Sequence, residues 1–231
     1  MQFADIADSQ NAIKNVLSKE LRKAAELEVK KMLTKLEGGA KIYEVNPQWG
    51  NKVSDILKKY YKKIYDTANT DVKKELKSQG AKLSELKFAD MTSEFEKWAA
   101  EQASIGSELL SADIKKSFVE YYAQAINKGL TADAINEFIF DQYAIEVGQR
   151  YNSAADRAVN AYGNAREVSA QEVAENGIIK IRTEIFDNNI CQQCAEEDGK
   201  EYAMDDDSIS PPFDDCQGGD KCRGMWLYQM P

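Results

Sequence analysis

The sequence contains no histidine, and this absence excludes a wide range of chemistry. Catalysis by Ser-His-Asp or Cys-His arrangements needs an imidazole as proton acceptor, so neither mechanism is open to this chain. Zinc sites with histidine ligands are excluded for the same reason, and any zinc must be held by sulfur, with or without carboxylate. Proline is also scarce, with three of the four at positions 211, 212 and 231, so long helices can run without interruption.

Several sequence signals of targeting and catalysis are missing as well. The first ten residues, MQFADIADSQ, lack the charged and apolar regions of a signal peptide. No apolar run approaches the ~18 residues that a membrane span needs. The sequence has neither a phosphate-cradling glycine loop nor a G-x-S-x-G motif. We therefore expect a soluble, non-enzymatic protein that is made in a cytoplasm and has no membrane contact and no small-molecule substrate.

Charge is distributed unevenly along the chain. The first hundred residues carry 19 Lys/Arg against 15 Asp/Glu, whereas the remainder carries 11 against 24. The acidic second part should repel a phosphate backbone. Basic pairs such as Lys58-Lys59 and Lys62-Lys63 could contact DNA or an acidic protein, although a solvated helix face is the interpretation we favour. DNA contact is thus expected, if anywhere, in the basic N-terminal half.

Apolar residues with a period of 3.6 predict helices over roughly the first 175 residues. The first predicted helix covers residues 10–37, and the second begins at Asn46-Pro47 and places Trp49, Val53, Ile56, Tyr60 and Ile64 inward. A short helix over 71–79 and helices beginning at Ser93, Ser111 and Thr131 follow. The last is an alanine-rich helix over 153–176. Capping residues and glycines supply the predicted ends. No repeat of fixed length is present.

The period changes to two after Gly177. One face of this segment carries Ile179, Ile181, Thr183 and Ile185, and the other carries Lys180, Arg182 and Glu184. The alternation predicts a strand over 178–186 with one buried face. Asp198-Gly199 indicates a hairpin turn, and residues 225–230 are a plausible return strand.

These patterns predict a mainly α fold. We expect an elongated helical region followed by a small C-terminal β subdomain (α+β) with a four-cysteine zinc site. The predicted division is an N-terminal helical region over 1–110, a second helical part over 111–177, and the β subdomain over 178–231.

All four cysteines fall within the last 41 residues, with the spacing Cys191-x2-Cys194 and Cys216-x5-Cys222. A C-x2-C pair on a tight turn can point both thiolates at one cation, and tetrahedral Zn²⁺ takes four such ligands at ~2.3 Å. Apolar residues are sparse between positions 187 and 223, so this segment cannot order itself by burial alone. A four-thiolate zinc site contributes folding free energy on the order of 10 kcal/mol. The sequence therefore predicts structural Zn²⁺ held by all four cysteines.

Other interpretations of the cysteines stay open. They could be four reduced structural thiols, or a disulfide pair, although nothing indicates export to an oxidising compartment. A redox role for Cys191 and Cys194 lacks the βαβ context of thioredoxin-like proteins. The acidic run at positions 205–207 could bind a cation, but its spacing is not that of a calcium loop, and a solvated loop is favoured.

The C-terminal part of the chain resembles a known family. The matching segments read RTEIFDNNICQQCAEEDGKEY over 182–202 and PPFDDCQGGDKCRG over 211–224, preceded by the helix over 156–178. The motifs occur in the order alanine-rich helix, strand, C-x2-C, Asp-Gly, Pro-Pro and a final Cys-Arg. This order resembles that of the head morphogenesis family of tailed bacteriophages, the Mu F-like minor head proteins. The resemblance covers roughly residues 110–230.

This chain departs from the pattern of the resembled family in one respect. Family members usually carry a histidine after the prolines and then a close Cys-x-Cys. Here Asp214 and Asp215 stand near the place of the histidine, and five residues separate the last two cysteines. In one consistent alignment Cys222 matches the family's Cys-Arg and Cys216 replaces the histidine ligand, while Asp214 or Asp215 remains an alternative ligand.

The resemblance implies a role in virion assembly. Proteins of this family are minor components of the phage head, associated with the portal vertex and linked to head assembly and DNA packaging or delivery. The expectation is therefore a bacteriophage minor capsid protein, made in the bacterial host cytoplasm and located in the virion, that binds the portal or major capsid protein. The alternative from a different class is a zinc-ribbon protein associated with nucleic acid or transcription, against which the acidic C-terminal part argues.

Overall fold

A computed structural model describes residues 3–82, 93–174, 177–184, 190–206, 208, 216–217 and 224–231. Within these residues the chain is mainly helical, with a small antiparallel sheet near its C-terminal end, as the sequence predicts. The elements are α1 (Phe3–Glu37), a 3₁₀ turn (Ile42–Glu44), α2 (Gly50–Ser78), α3 (Ser93–Asn127), α4 (Ala132–Gln171), β1 (Ile179–Thr183), α5 (Gln192–Glu197), β2 (Glu201–Ala203) and β3 (Met225–Gln229).

The long helices are fewer and longer than the sequence predicts. Breaks were expected near residue 70, at Ser111, and between 143 and 153, but α2, α3 and α4 run through these positions. The hydroxyl of Ser111 donates to the carbonyl of Ser107 at 2.7 Å, so a residue expected to cap a helix is satisfied inside one. In α4 the buried hydroxyls of Tyr143 and Tyr151 hydrogen-bond at 2.8 Å across two turns.

The chain divides into two compact units, each built from discontinuous segments. The first comprises Met1–Lys14, Tyr61–Glu96 and Asp156–Pro231, and the second comprises Asn15–Tyr60 and Lys97–Ala155. The sequential division at residues 110 and 177 remains a prediction.

The second unit is an all-helical body. Its buried side chains include Leu17, Leu21, Val53, Ile56, Leu57, Leu110, Ile114, Phe118 and Ile139. The rings of Trp49 and Tyr151 meet edge to face with centroids 6.1 Å apart. Gly106 lies so close to Leu57 that a Cβ there would be 2.9 Å from its Cδ1, which shows close packing of α3 on α2.

The first unit contains the sheet, whose strand order is β2-β1-β3 with both pairings antiparallel. Its core joins α2, the end of α4 and the sheet through Val72, Leu76, Ala170, Val173, Ile178, Met204, Trp226 and Tyr228. The return strand predicted over 225–230 is confirmed as β3, which pairs with β1 from Ile179↔Gln229 to Thr183↔Met225.

The face of β1 that is buried is the charged one. Lys180, Arg182 and Glu184 are 1%, 0% and 6% exposed, while Ile179 and Ile181 are only half-buried. The indole of Trp226 explains this inversion, because the Lys180 Nζ and the Arg182 guanidinium carbon lie 4.9 Å and 5.8 Å from its ring centroid. Cation–π contact and the apolar stems of the two cations let this face pack inward.

The predicted turn at Asp198-Gly199 exists but joins different elements. It connects α5 to β2 rather than one strand to the next, because a helix intervenes between β1 and β2. Gly199 has φ +79°, and its N–H donates to the carbonyl of Arg182 at 2.8 Å. The turn requires a left-handed backbone conformation at this position, and glycine adopts that conformation without steric cost. The turn thus fixes α5 against the end of β1.

Candidate metal centre

The first cysteine pair lies at the start of α5. Cys191 is the N-cap, with extended backbone at φ −81° and ψ 160°, and Cys194 lies on the first helical turn. The carbonyl of Cys191 accepts from the N–H of Ala195 at 3.0 Å. Both cysteines are buried. Because they lie within one turn at the start of α5, their two sulfurs point to the same side, within 4.8 Å of each other.

Cys216 brings a third sulfur to the same place. Its Sγ lies 3.9 Å from the Sγ of Cys194, and the sulfurs of Cys191, Cys194 and Cys216 all lie within 4.8 Å of one another. Two thiolates on one tetrahedral zinc at ~2.3 Å are about 3.8 Å apart, whereas disulfide sulfurs are ~2.05 Å apart. No disulfide joins the three cysteines, and the spacing of their sulfurs suits a shared metal ion.

The environment of Cys191 favours the thiolate that a metal requires. The backbone N–H and the thiol of Cys194 lower the pKa of Cys191, more than burial raises it. The backbone N–H of Gln217 and the thiol of Cys216 act in the same direction. A sulfur with a lowered pKa releases its proton to a metal at lower cost.

A buried ion pair lies beside the cysteine cluster. Arg182 donates to Glu184 through Nη2 and to the carbonyl of Met225 through Nη1 at 3.2 Å. Burial raises the pKa of Glu184, while Arg182 and the thiol of Cys194 oppose that shift. Gly224 packs directly on this pair, and a Cβ at that position would overlap both side chains. The pair thus contacts one cysteine of the cluster and the backbone at the start of β3.

One predicted ligand and both alternative ligands lie outside the described residues. Cys222, the predicted fourth ligand, is one of them, and Asp214 and Asp215 are the others. Three of the four predicted thiols are therefore brought together, and the four-cysteine assignment stays a prediction.

Other candidate sites have ordinary explanations where the structure describes them. Asp206 accepts hydrogen bonds from the N–H and hydroxyl of Ser208 at 2.9 Å and 2.5 Å, which lower its pKa and mark a turn. Lys59 forms an ion pair with Glu20 at 2.9 Å. An open groove of about 690 Å³ beside β1 and β2 has mostly apolar walls, including Ile178 and Met204.

Sequence reasoning missed a buried polar network in the first unit. Arg166 of α4 donates to Glu75 of α2, and Glu75 also accepts the N–H of Tyr228 at 3.0 Å. Tyr162 donates to Asp71 at 2.6 Å. The sequence carries no distinctive signal for this network, because a charged residue beside an apolar one on a helix is common and usually solvated.

No family model, curated protein or solved structure matches this chain. Among the described residues, no helix combines the length and apolarity needed to cross a bilayer.

Proposed function

We propose that Cys191, Cys194, Cys216 and Cys222 hold one structural Zn²⁺. The observation that carries this proposal is the convergence of three thiols, from positions up to 25 residues apart, to within 4.8 Å of one another. Zinc would cross-link a polar segment that has few apolar residues of its own. With four thiolates the coordination is closed, so no position remains for a substrate or an activated water.

The ligand set has a direct test in matched variants. Cys216→Ser and Cys222→Ser should each lower the zinc content of the purified chain, whereas Asp214→Ala and Asp215→Ala should not. If an aspartate variant lost zinc while Cys216→Ser kept it, the fourth ligand would be a carboxylate and the assignment of Cys216 would be wrong.

We further propose that the chain is a non-enzymatic minor head protein of a tailed bacteriophage that binds the portal or the major capsid protein. Its support is the order of motifs over 156–224, together with the three-thiol cluster that those motifs supply. The long helices offer extended binding surfaces, and the metal centre would anchor the C-terminal strand to them. This role requires no catalytic residues.

Binding to the portal protein of the same genome tests the assembly role. Purified chain should co-sediment with assembled portal rings and should be present in purified heads at low copy number. A Lys74→Met variant, altered at an exposed side chain far along the sequence from the cysteines, serves as a control for preparation. Absence from heads, together with no binding to portal or capsid protein, would overturn the proposal.

The nucleic-acid alternative makes a different prediction. The exposed lysines Lys58, Lys59, Lys62 and Lys63 lie on α2, whereas the described residues of the C-terminal part carry more Asp and Glu than Lys and Arg. If the chain acted on DNA, its binding would weaken steeply with salt and would be lost on replacing these lysines. Portal binding without any affinity for DNA would favour the assembly role.

A further inference from the structure

Helix α3 is apolar on two opposite sides. Its inner side is buried and carries Ala103, Leu110, Ile114, Phe118, Tyr121 and Ala125. Its other side is exposed along the outer seam, which we define as Ile105, Leu109, Ala112, Lys116, Val119, Ala123 and Ile126. An ordinary surface helix has one apolar stripe facing the core, so the outer seam is not needed to hold α3 in place.

The spacing of the outer seam is that of a coiled coil. Its members alternate steps of four and three residues over three heptads, which places them at successive a and d positions. Ile105, Leu109 and Ile126 are 46%, 48% and 50% exposed, far more than a packed a or d residue. At 1.5 Å per residue the seam is ~32 Å long. Scattered apolar residues on a surface are normal, but a row in heptad register indicates a partner helix.

The flanks of the seam define the charge of that partner. The charged residues at the e and g positions beside it are Glu101, Glu108, Asp113, Lys115 and Glu120. The one cation among them, Lys115, donates to the side chain of Asn46. The rim is therefore acidic, and residues at e and g set the choice of partner in coiled coils.

We propose that the outer seam of α3 binds an amphipathic helix of another protein, with an apolar heptad seam flanked by Lys and Arg. A second copy of this chain would bring acidic rims face to face, and an anionic membrane surface would repel them. Lys116 at an a position weakens the seam but selects the register, since a polar residue there specifies pairing at a cost in stability. The inference does not depend on zinc or on the phage assignment.

A pair of labelled four-heptad peptides tests the proposal. Both carry Ile and Leu at a and d; one has Lys at every e and g position, and the other has Glu. Fluorescence anisotropy should show that the chain binds the Lys peptide and that its affinity falls as salt rises from about 50 to 300 mM. The affinity for the Glu peptide should be at least about tenfold lower. The Lys peptide repels itself and so enters the assay as a monomer.

Two variants and a matched control locate the binding surface. Leu109→Glu and Val119→Glu place a carboxylate in the seam and should each weaken the Lys peptide about tenfold or more, although they add a favourable charge. Gln124→Glu adds the same charge at an exposed position off the seam and should leave binding unchanged or slightly stronger. All four proteins should have the same far-UV circular dichroism.

Three results would overturn the proposal. Equal binding of both peptides, or binding of neither, would remove the acidic rim as the source of selectivity. Binding that survives both seam variants would place the surface elsewhere. A dimer of the free chain that Leu109→Glu dissociates, measured by sedimentation velocity, would make a second copy the occupant.

Discussion

Replacing Arg166 with methionine should destabilise the first unit severely. Arg166 is 1% exposed, donates to Glu75, and donates to the carbonyl of Trp226 at 3.2 Å. Its guanidinium carbon also lies 5.9 Å and 5.4 Å from the ring centroids of Tyr162 and Tyr228. One side chain therefore joins α4 to both α2 and β3.

The expected loss is about 3–5 kcal/mol. A hydrogen bond to a charged group contributes about 1.5–3 kcal/mol and one to a backbone carbonyl about 1 kcal/mol. The ring contacts add about 1 kcal/mol, and breaking a buried pair leaves an uncompensated carboxylate, for which measured costs are about 3–5 kcal/mol. Methionine keeps the apolar packing of the stem, so the loss reports mainly on polar contacts.

Urea unfolding followed by tryptophan fluorescence measures this loss, with metal content held constant. The double variant Arg166→Met with Glu75→Gln should recover about 2 kcal/mol, because glutamine can still accept the N–H of Tyr228 without a buried charge. Lys74→Met removes an exposed ammonium 3.4 Å from the buried Asp71 and should cost less than about 1 kcal/mol, because water screens the exposed partner and Tyr162 still donates to the carboxylate. A cost below about 1 kcal/mol for Arg166→Met, or no recovery in the double variant, would refute the reasoning.

Three further predictions concern the cysteine cluster, its support and the response to pH. Gly224→Ala should destabilise the chain by about 1–3 kcal/mol, because the added Cβ would displace the Arg182–Glu184 pair. Urea unfolding measures this loss, and an unchanged unfolding midpoint would contradict the contact. A strong zinc chelator should lower the thermal midpoint while retaining most of the helical signal in circular dichroism; no shift would argue against structural metal. Burial raises the pKa of Tyr61 and of Tyr202 to about 12, so the folded chain keeps phenol protons that the unfolded chain loses above about pH 10. Stability should therefore fall as the pH rises above about 10, and phenolate absorbance should appear later in native than in urea-unfolded protein; coincident titrations would contradict the burial of these rings.

The helical part of the fold could be predicted from periodicity, but the helix ends could not. Thr131 was expected to cap a helix, and α4 begins at the next residue, Ala132. Ser111 resembles a cap in the sequence, yet its hydroxyl is satisfied by a carbonyl one turn earlier. Serine serves both purposes, and only the packing of Leu110 and Ile114 on one continuous face decides between them.

The orientation of β1 could not be predicted, because alternation gives two faces without saying which is buried. The apolar side of Ile179 and Ile181 was the natural choice for burial. Trp226, 44 residues after Arg182 in the sequence, reverses it by offering a ring to both cations of the charged face. The partner that decides the outcome is distant in the sequence and invisible to a local pattern.

The cysteine cluster was predictable to the extent that spacing carries chemistry. The C-x2-C segment predicts a tight turn with two converging sulfurs, and α5 provides it. The presence of Cys216 beside them was predicted from the number of ligands that zinc takes, not from any local signal, and its sulfur lies within 4.8 Å of theirs. The supporting pair of Arg182 and Glu184 has no sequence signature beyond its alternation.

X-ray absorption at the zinc edge of the purified chain tests the central claim most directly. A structural site of Cys191, Cys194, Cys216 and Cys222 predicts one zinc per chain with four sulfur neighbours at ~2.3 Å. A chain purified without metal from zinc-containing medium, or a zinc shell dominated by oxygen or nitrogen near ~2.0 Å, would contradict it.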